Sequence, residues 1–222
     1  MSNDINQHKY QSNSRFLLIY TCIPIAICTI LLVLMIFRTA EKAKSQSSTL
    51  SPLADSYVSS GKKDQVSDRA YQMLVGYDAD SIYKFEETQM LLRFQLPTTT
   101  TNKIESAKLT LYLTSTFTTQ RNVSLNIKVQ QIIGEWQEKG NPALTWNLRQ
   151  SFTVIVSPEA TSDVPTANGL YTWDVTAVLQ DWINKNRGTI VGLILTGDVS
   201  NVENKRSFFS KDCPNTDCGI PG

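Results

Sequence analysis

The chain has 222 residues, with 21 Lys and Arg against 20 Asp and Glu, and a single histidine. From Ser45 onward 16 cations face 18 anions, so no bulk positive field exists there to hold nucleic acid. The histidine is His8, and everything beyond Arg38 lacks imidazole, which excludes Ser-His-Asp and Cys-His catalysis and His-ligated zinc from that part of the chain.

Residues 1–15 are polar and read as a short cytoplasmic tail. Phe16 to Phe37 is an uncharged run of 22 residues; at about 1.5 Å per residue it reaches roughly 33 Å as a helix, enough to span hydrocarbon. A cleaved signal peptide is the rival, but its apolar core runs to only about 7–15 residues and ends at a small-x-small site. Met35-Ile36-Phe37-Arg38 is no such site. The expectation is a transmembrane signal anchor over 16–37. Flanking charges nearly tie, and long domains cross largely regardless of charge, so charge does not set the orientation; the nature of the C-terminal domain does, and that domain is expected outside the cell membrane in a single-pass arrangement. Residues 38–53 hold Ser, Lys and Glu without apolar periodicity and close on Pro52, as a flexible stalk does.

Beyond the stalk, apolar and polar residues alternate over short runs. Leu92, Phe94 and Leu96 point one way, with Leu91, Arg93 and Gln95 opposite. Ala107, Leu109, Leu111 and Leu113 oppose Lys108, Thr110, Tyr112 and Thr114. Val123, Leu125, Ile127 and Val129 oppose Asn126, Lys128 and Gln130, and Phe152, Val154 and Val156 repeat the pattern. Pro97, Gln120 to Asn122, Gly140 to Pro142, Ser157-Pro158 and Ala167 to Gly169 read as the turns between them.

The stretch from Gly169 to Thr196 contains three elements. Tyr171 and Trp173 alternate with Thr172 and Asp174 as a half-buried strand, and Asp174 is placed to cap a helix. Val175, Val178, Leu179, Trp182 and Ile183 follow on one helical stripe, leaving Gln180, Asp181 and Lys185 on a solvated face. Asn186 to Gly188 stops the helix, and Ile190 to Leu195 is apolar on both sides, as a strand covered on both faces would be. Many short strands and one short helix make an all-β domain, a jelly-roll-like sandwich of two sheets over 54–222.

Asp174-Val175-Thr176, helical Trp182 and the return from Gly188 to Leu195 resemble the C-terminal half of the DNRLRE family. Asp55 to Val58, Leu91 to Phe94, Ile104 to Leu109, Leu144 to Asn147 and Ser207 to Lys211 agree in order. The resemblance covers about Ala54 to Lys211. It implies an extracellular β-sandwich, similar in some members to carbohydrate-binding modules for acidic polysaccharides. It also implies one more apolar strand after residue 211. The sequence stops at Gly222 where that strand would begin, which marks either a piece of a longer chain or an open sheet edge for a strand donor.

Sugar sites use exposed aromatic faces together with hydrogen-bonding groups, and acidic sugars need cations. Trp173 and Trp182 fall on apolar faces and read as core. Trp136 and Trp146 lie near a loop and read as a ligand platform or a structural clasp; the resembled family has both. Arg93, Lys108 and Lys128 point off the apolar side, as a glycan's cations or as a solvated face. Asp78 and Asp80 sit two residues apart in a calcium-like loop that lacks the remaining ligands, which favours a plain turn. Cys213 and Cys218 read as a disulfide in an oxidising compartment, worth roughly 2 kcal/mol, with free thiols as the alternative. Glu86, Glu87, Glu135, Glu138, Asp174 and Asp181 keep carboxylate-only glycan cleavage in view, though each has a structural explanation.

The expectation is therefore a membrane-anchored extracellular binding module for polysaccharide, not an enzyme and without cofactor or metal. The alternatives are a surface spacer with no small ligand and a carboxylate-based glycan-cleaving enzyme.

Overall fold

The structure, a computed structural model, describes residues 47–67, 70–79, 82–97, 103–118, 123–198 and 202–214. The expected anchor at 16–37 and most of the stalk lie outside the described residues, and among the described ones no helix is long and apolar enough to cross a membrane. Ser48–Gly222 forms one compact unit, and the following concerns that unit alone.

Alternation becomes strand where the pattern is strongest. β1 (Ala54–Ser59), β2 (Gln72–Asp78), β3 (Glu86–Gln95), β4 (Lys108–Thr118) and β5 (Leu125–Ile133) come first. A helical turn, α1 (Trp146–Arg149), precedes β6 (Thr153–Val164) and β7 (Gly169–Asp174). Helix α2 (Thr176–Asn184) leads into β8 (Ile190–Gly197) and β9 (Asn204–Phe209). The domain is all-β with one short helix of more than a turn.

The two sheets expected from sequence are halves of one. The nine strands form a single antiparallel sheet, ordered β6-β5-β8-β3-β2-β9-β4-β7, with β1 on the other side of β3. Along one side of β3, Gln89 to Gln95 pair with β8, whereas Glu86 to Thr88 pair with β2. That change of neighbour joins a layer of β6, β5, β8, β3 and β1 to a layer of β2, β9, β4 and β7. All nine strands send side chains into one core, among them Val75, Leu92, Leu113, Ile127, Trp173, Leu195 and Phe208. A curled sheet has to bury its inner face this way, because the apolar positions of every strand fall on the same side.

Helix α2 closes the side on which the outer strands β6 and β7 leave the core open. Val175, Val178 and Trp182 reach the core, with Leu179 and Ile183 packed beside them, as the stripe predicts. The N-cap position falls on Val175, without a side-chain cap, so Asp174 stands one residue ahead of the expected place; its Oδ1 still accepts the N–H of Thr176, the first helical residue, at 3.0 Å. The stop is as expected, with Asn186 at φ 51° and Gly188 at φ 94°. Asp181 departs from expectation. It accepts bonds from Arg187 at 2.6 Å and from Gln131 of β5 at 3.1 Å, so it ties the helix to the sheet instead of facing solvent.

β6 also differs from the sequence reading. Ser157-Pro158 is not a turn between elements, since the strand continues through it to Val164. Its pairing with β5 jumps from Val129↔Ala160 to Gln131↔Ile155, an excursion that an outer strand tolerates and a central one would not. Val156 lies in that excursion and is 71% exposed instead of joining the apolar face. β9, the last described strand, is paired on both sides by β2 and β4, and the outer strands are β1, β6 and β7.

Candidate functional site

The outer face of the first layer is not left to solvent. Leu91 of β3, Ile132 of β5 and Ile194 of β8 point outward and are covered by Trp136 and Leu144, with Trp146, Leu148 and Phe152 packed around them. These covering residues belong to the segment 134–152 between β5 and β6. Gly134 starts it at a close approach, because a Cβ there would lie 2.2 Å from the Phe152 ring. Thr145 caps α1 by accepting the Leu148 N–H at 3.1 Å, which fixes Trp146 and Leu148 over the sheet.

Where this cover meets the sheet, a groove of about 470 Å³ opens, within the usual ~300–1,000 Å³ range of ligand sites. Arg93, Gln137, Glu138, Lys139 and Lys211 give its polar walls, and Leu53, Ala54 and Ile190 the apolar ones. Arg93 enters from β3, in register with Ala54 of β1. Its guanidinium lies 5.8 Å from the Trp136 ring centroid, and Nη1 donates to the Trp136 carbonyl at 2.5 Å. Glu135, almost fully exposed, adds only a 4.0 Å ion pair, worth little in water.

Lys211 is held by carboxylates. Its Nζ lies 2.9 Å from Glu138 Oε2, 2.8 Å from Asp212 Oδ1 and 3.9 Å from Asp55 Oδ1. Lys139 pairs with Asp212 at 3.4 Å. Asp55 also accepts the Ser210 hydroxyl at 3.1 Å and the Lys211 N–H at 2.6 Å, which joins the start of β1 to the segment after β9. The carboxyls titrate apart. Burial, and then the hydrogen bond with Asp212, push Glu138 up. The same bond, with Lys211 next, holds Asp212 down at about 2. Burial raises Asp55 despite its hydrogen bonds. Burial pulls Lys211 down, but bonds to Asp212 and Glu138 outweigh it and raise its pKa overall. The groove therefore offers three cations, two of which an incoming anion must take from carboxylates already present.

At the opposite ends of β8 and β9 lies a smaller notch of about 220 Å³ lined by Asn126, Asp163, Asp198, Glu203 and Asn204. Glu203 accepts the Ala79 N–H at 2.5 Å. Its pKa is raised by burial first and by the nearby Asp78.

Of the residues singled out from sequence, Arg93 and Glu138 line the groove. Lys108 stands on the other layer, opposite Asp174. Lys128 is on the same face as Arg93 but across β8, paired with Glu159 at 3.8 Å. Trp136 is 2% exposed. It is the clasp of the two readings, not a sugar platform, because a ring with no open face cannot stack on a ligand. Trp146 is half-buried in the same cover. Asp78 belongs to β2, not to a loop, and is buried against Lys205 at 2.5 Å; Asp80 lies outside the described residues. Among the described residues no group of three or more His, Cys, Asp or Glu is arranged for a metal ion. Cys213 is disulfide-bonded, and Cys218 lies outside the described residues. The remaining carboxylates have structural partners: Glu86 with Ser60, Glu87 with Gln89, and Asp174 and Asp181 as above.

Lys139 and Lys211 were not legible as a site. The groove's residues come from positions 54, 93, 138 and 211, and no local spacing connects them. Only the registers of β1 on β3 and of β9 on β2 bring them together.

A sheet-built domain with a groove of donors and short apolar walls has the architecture of a ligand-binding module. Residues 46–218 match the model of carbohydrate-binding module family 96, and the chain belongs to that family. No curated protein matches the chain.

Proposed function

We propose that this chain is a membrane-anchored module that binds polysaccharide outside the cell, with the groove beside Arg93 as its sugar site. The observation that carries the reading is the family match over 46–218, which covers the whole curled sheet. The likeness of Ala54 to Lys211 to DNRLRE modules belongs to the same reading, as do anchoring through 16–37 and the stalk at 38–53. In the groove Arg93 presents a planar fork to sugar carboxylates or hydroxyls, Gln137 adds a carboxamide, and Lys139 and Lys211 exchange their carboxylate partners for the ligand. Leu53, Ala54 and Ile190 supply the apolar contact that a pyranose face prefers.

The test is affinity electrophoresis of the full-length chain in detergent micelles through gels cast with polygalacturonate or with neutral glucan. Retardation by at least one polymer, reduced about tenfold in Arg93→Ala, is the expected result. No retardation by any polysaccharide would leave a surface spacer as the better description. Protease added to intact cells should remove the domain, and its protection until lysis would overturn the orientation.

A further inference from the structure

The outer face of the second layer carries a feature that the groove does not use. Tyr112 of β4 stands in register with Leu170 of β7, and its ring stacks on Phe209 of β9, with centroids 5.5 Å apart and planes at 21°. Leu170 is 68% exposed. Further along β4, Phe117 is 45% exposed and stands in register with Lys205.

Positions 112 and 117 would face opposite sides of an ordinary strand, because side chains alternate with a period of two. The register shift between Leu113 and Ser115 inserts the extra residue that brings both rings to the outer face. Hydroxyls and a carboxamide surround them. Thr110 and Thr172 share a hydrogen bond at 3.1 Å, Thr114 donates to the Ser207 carbonyl at 2.9 Å, and the Ser207 hydroxyl donates to Gln72 at 3.0 Å.

Charge is excluded from this stripe. At one end Lys205 is 6% exposed, its Nζ 4.5 Å from the Phe117 centroid and 2.5 Å from Asp78. At the other end the first charges are Lys108 and Asp174, which stand opposite each other. Among the described residues, an acidic polymer finds no available cation between these ends. The groups present are apolar faces alternating with groups that donate and accept, and such a row is complementary to an uncharged chain of hydroxyls.

We propose that this face is a second carbohydrate-binding surface, for an uncharged polysaccharide laid along β4. Tyr112, Leu170 and Phe117 contact its apolar ring faces, and Thr110, Thr172 and Gln72 contact its hydroxyls. The proposal rests on the carbohydrate-binding reading but not on the groove. With it the module holds two glycans of different charge on different surfaces.

The test is sedimentation of the full-length chain in detergent micelles with cellulose, chitin and starch granules, with electrophoresis through polygalacturonate in parallel. Leu170→Asp and Thr172→Arg alter exposed side chains, and an unchanged thermal midpoint shows that each variant is folded. The expected result is retention on at least one uncharged polymer, cut about tenfold by either variant and left unchanged by Arg93→Ala. Absence of retention on all three polymers overturns the proposal, as does retention that ignores both variants or that Arg93→Ala abolishes. Polygalacturonate binding that is lost in Arg93→Ala and kept in Leu170→Asp leaves the groove reading standing when the outer face fails.

Discussion

Two tryptophan-anchored segments cover the same sheet from opposite sides. Helix α2 lies on the inner side with Trp182, beside Trp173 of β7, and completes the core. The segment 134–152 lies on the outer side with Trp136 and Trp146, and only this one borders the groove. The inner cover is a regular helix whose polar groups are spent on holding it in place: Trp182 Nε1 donates to the Gly188 carbonyl at 2.9 Å and Asp181 is bound by Arg187 and Gln131. The outer cover is irregular, and its backbone carbonyl at Trp136 and side chains at Gln137, Glu138 and Lys139 are directed at Arg93 and the groove. The difference separates stability from binding: a regular element satisfies itself, and an irregular one has donors and acceptors left to point at a ligand.

Substitutions should split the two covers. Trp173→Ala is expected to have the largest effect on stability. Its ring is fully buried, edge-on to Phe208, with Nε1 donating to the Ile127 carbonyl at 3.0 Å, and truncation should cost about 4 kcal/mol. Urea denaturation reads this, and protein that remains folded should keep its affinity for glycan. Trp136→Ala should cost about 3 kcal/mol and also weaken glycan retention, because Arg93 loses both the ring it lies over and the ordered carbonyl it bonds. Retention unchanged in folded Trp136→Ala would mean that the outer cover does not support the site.

Glu138→Gln sharpens the comparison within the groove. It removes one competitor for Lys211, so retention by polygalacturonate at neutral pH should rise by about threefold, the scale of a weak ion pair. Wild-type retention should rise likewise on acidification, since burial makes Glu138 take up its proton at a higher pH than an ordinary glutamate does and so release the lysine. The variant should flatten that rise. Gel retardation across pH 7 to 5 measures both, and a wild-type profile that falls on acidification would contradict the assignment.

The smallest effect expected is on acid stability. Asp212 is held at about 2 against an ordinary 3.8. Its contribution is therefore present above the unfolded value and is lost as pH falls from about 4 to about 2. Asp55 and Glu138 act in the opposite sense. Their raised values favour the folded state at low pH, and that contribution is lost as pH rises through them. Asp212→Asn should remove the first contribution, amounting to less than about 1 kcal/mol for so hydrated a pair. Thermal midpoints at pH 6 and pH 3 should lie closer together in the variant than in the wild type.

What could be read from sequence follows the same division. The stripe of α2, the alternation in β4 and β5 and the doubly covered β8 are local periodicities, and each appears where the residues place it. The continuity of the sheet through Glu86 to Thr88 was not legible, because whether β3 pairs with β2 or β8 depends on partners far away in sequence. Ser157-Pro158 carries a turn signal that an outer strand can absorb. The segment 134–152 has no period at all, so Trp136 could be read as platform or clasp from its neighbours. For the same reason the groove stayed hidden: each of its cations alone looks like a solvated surface residue.

The central strand β9 carries neighbouring buried cations that point opposite ways. Lys205 fits between Phe85, Phe117 and Asp78. Arg206 turns inward, where its guanidinium donates to the carbonyls of Val123, Val164 and Pro165. A fork of five donors and a single ammonium are not exchangeable, and sliding the strand by one residue would present each to the other's partners. β9 is thereby keyed like a bolt with two different teeth. The key also sets the position of Lys211, which follows the strand, so the alignment of a groove-lining lysine is decided by a mismatch-proof lock in the middle of the fold.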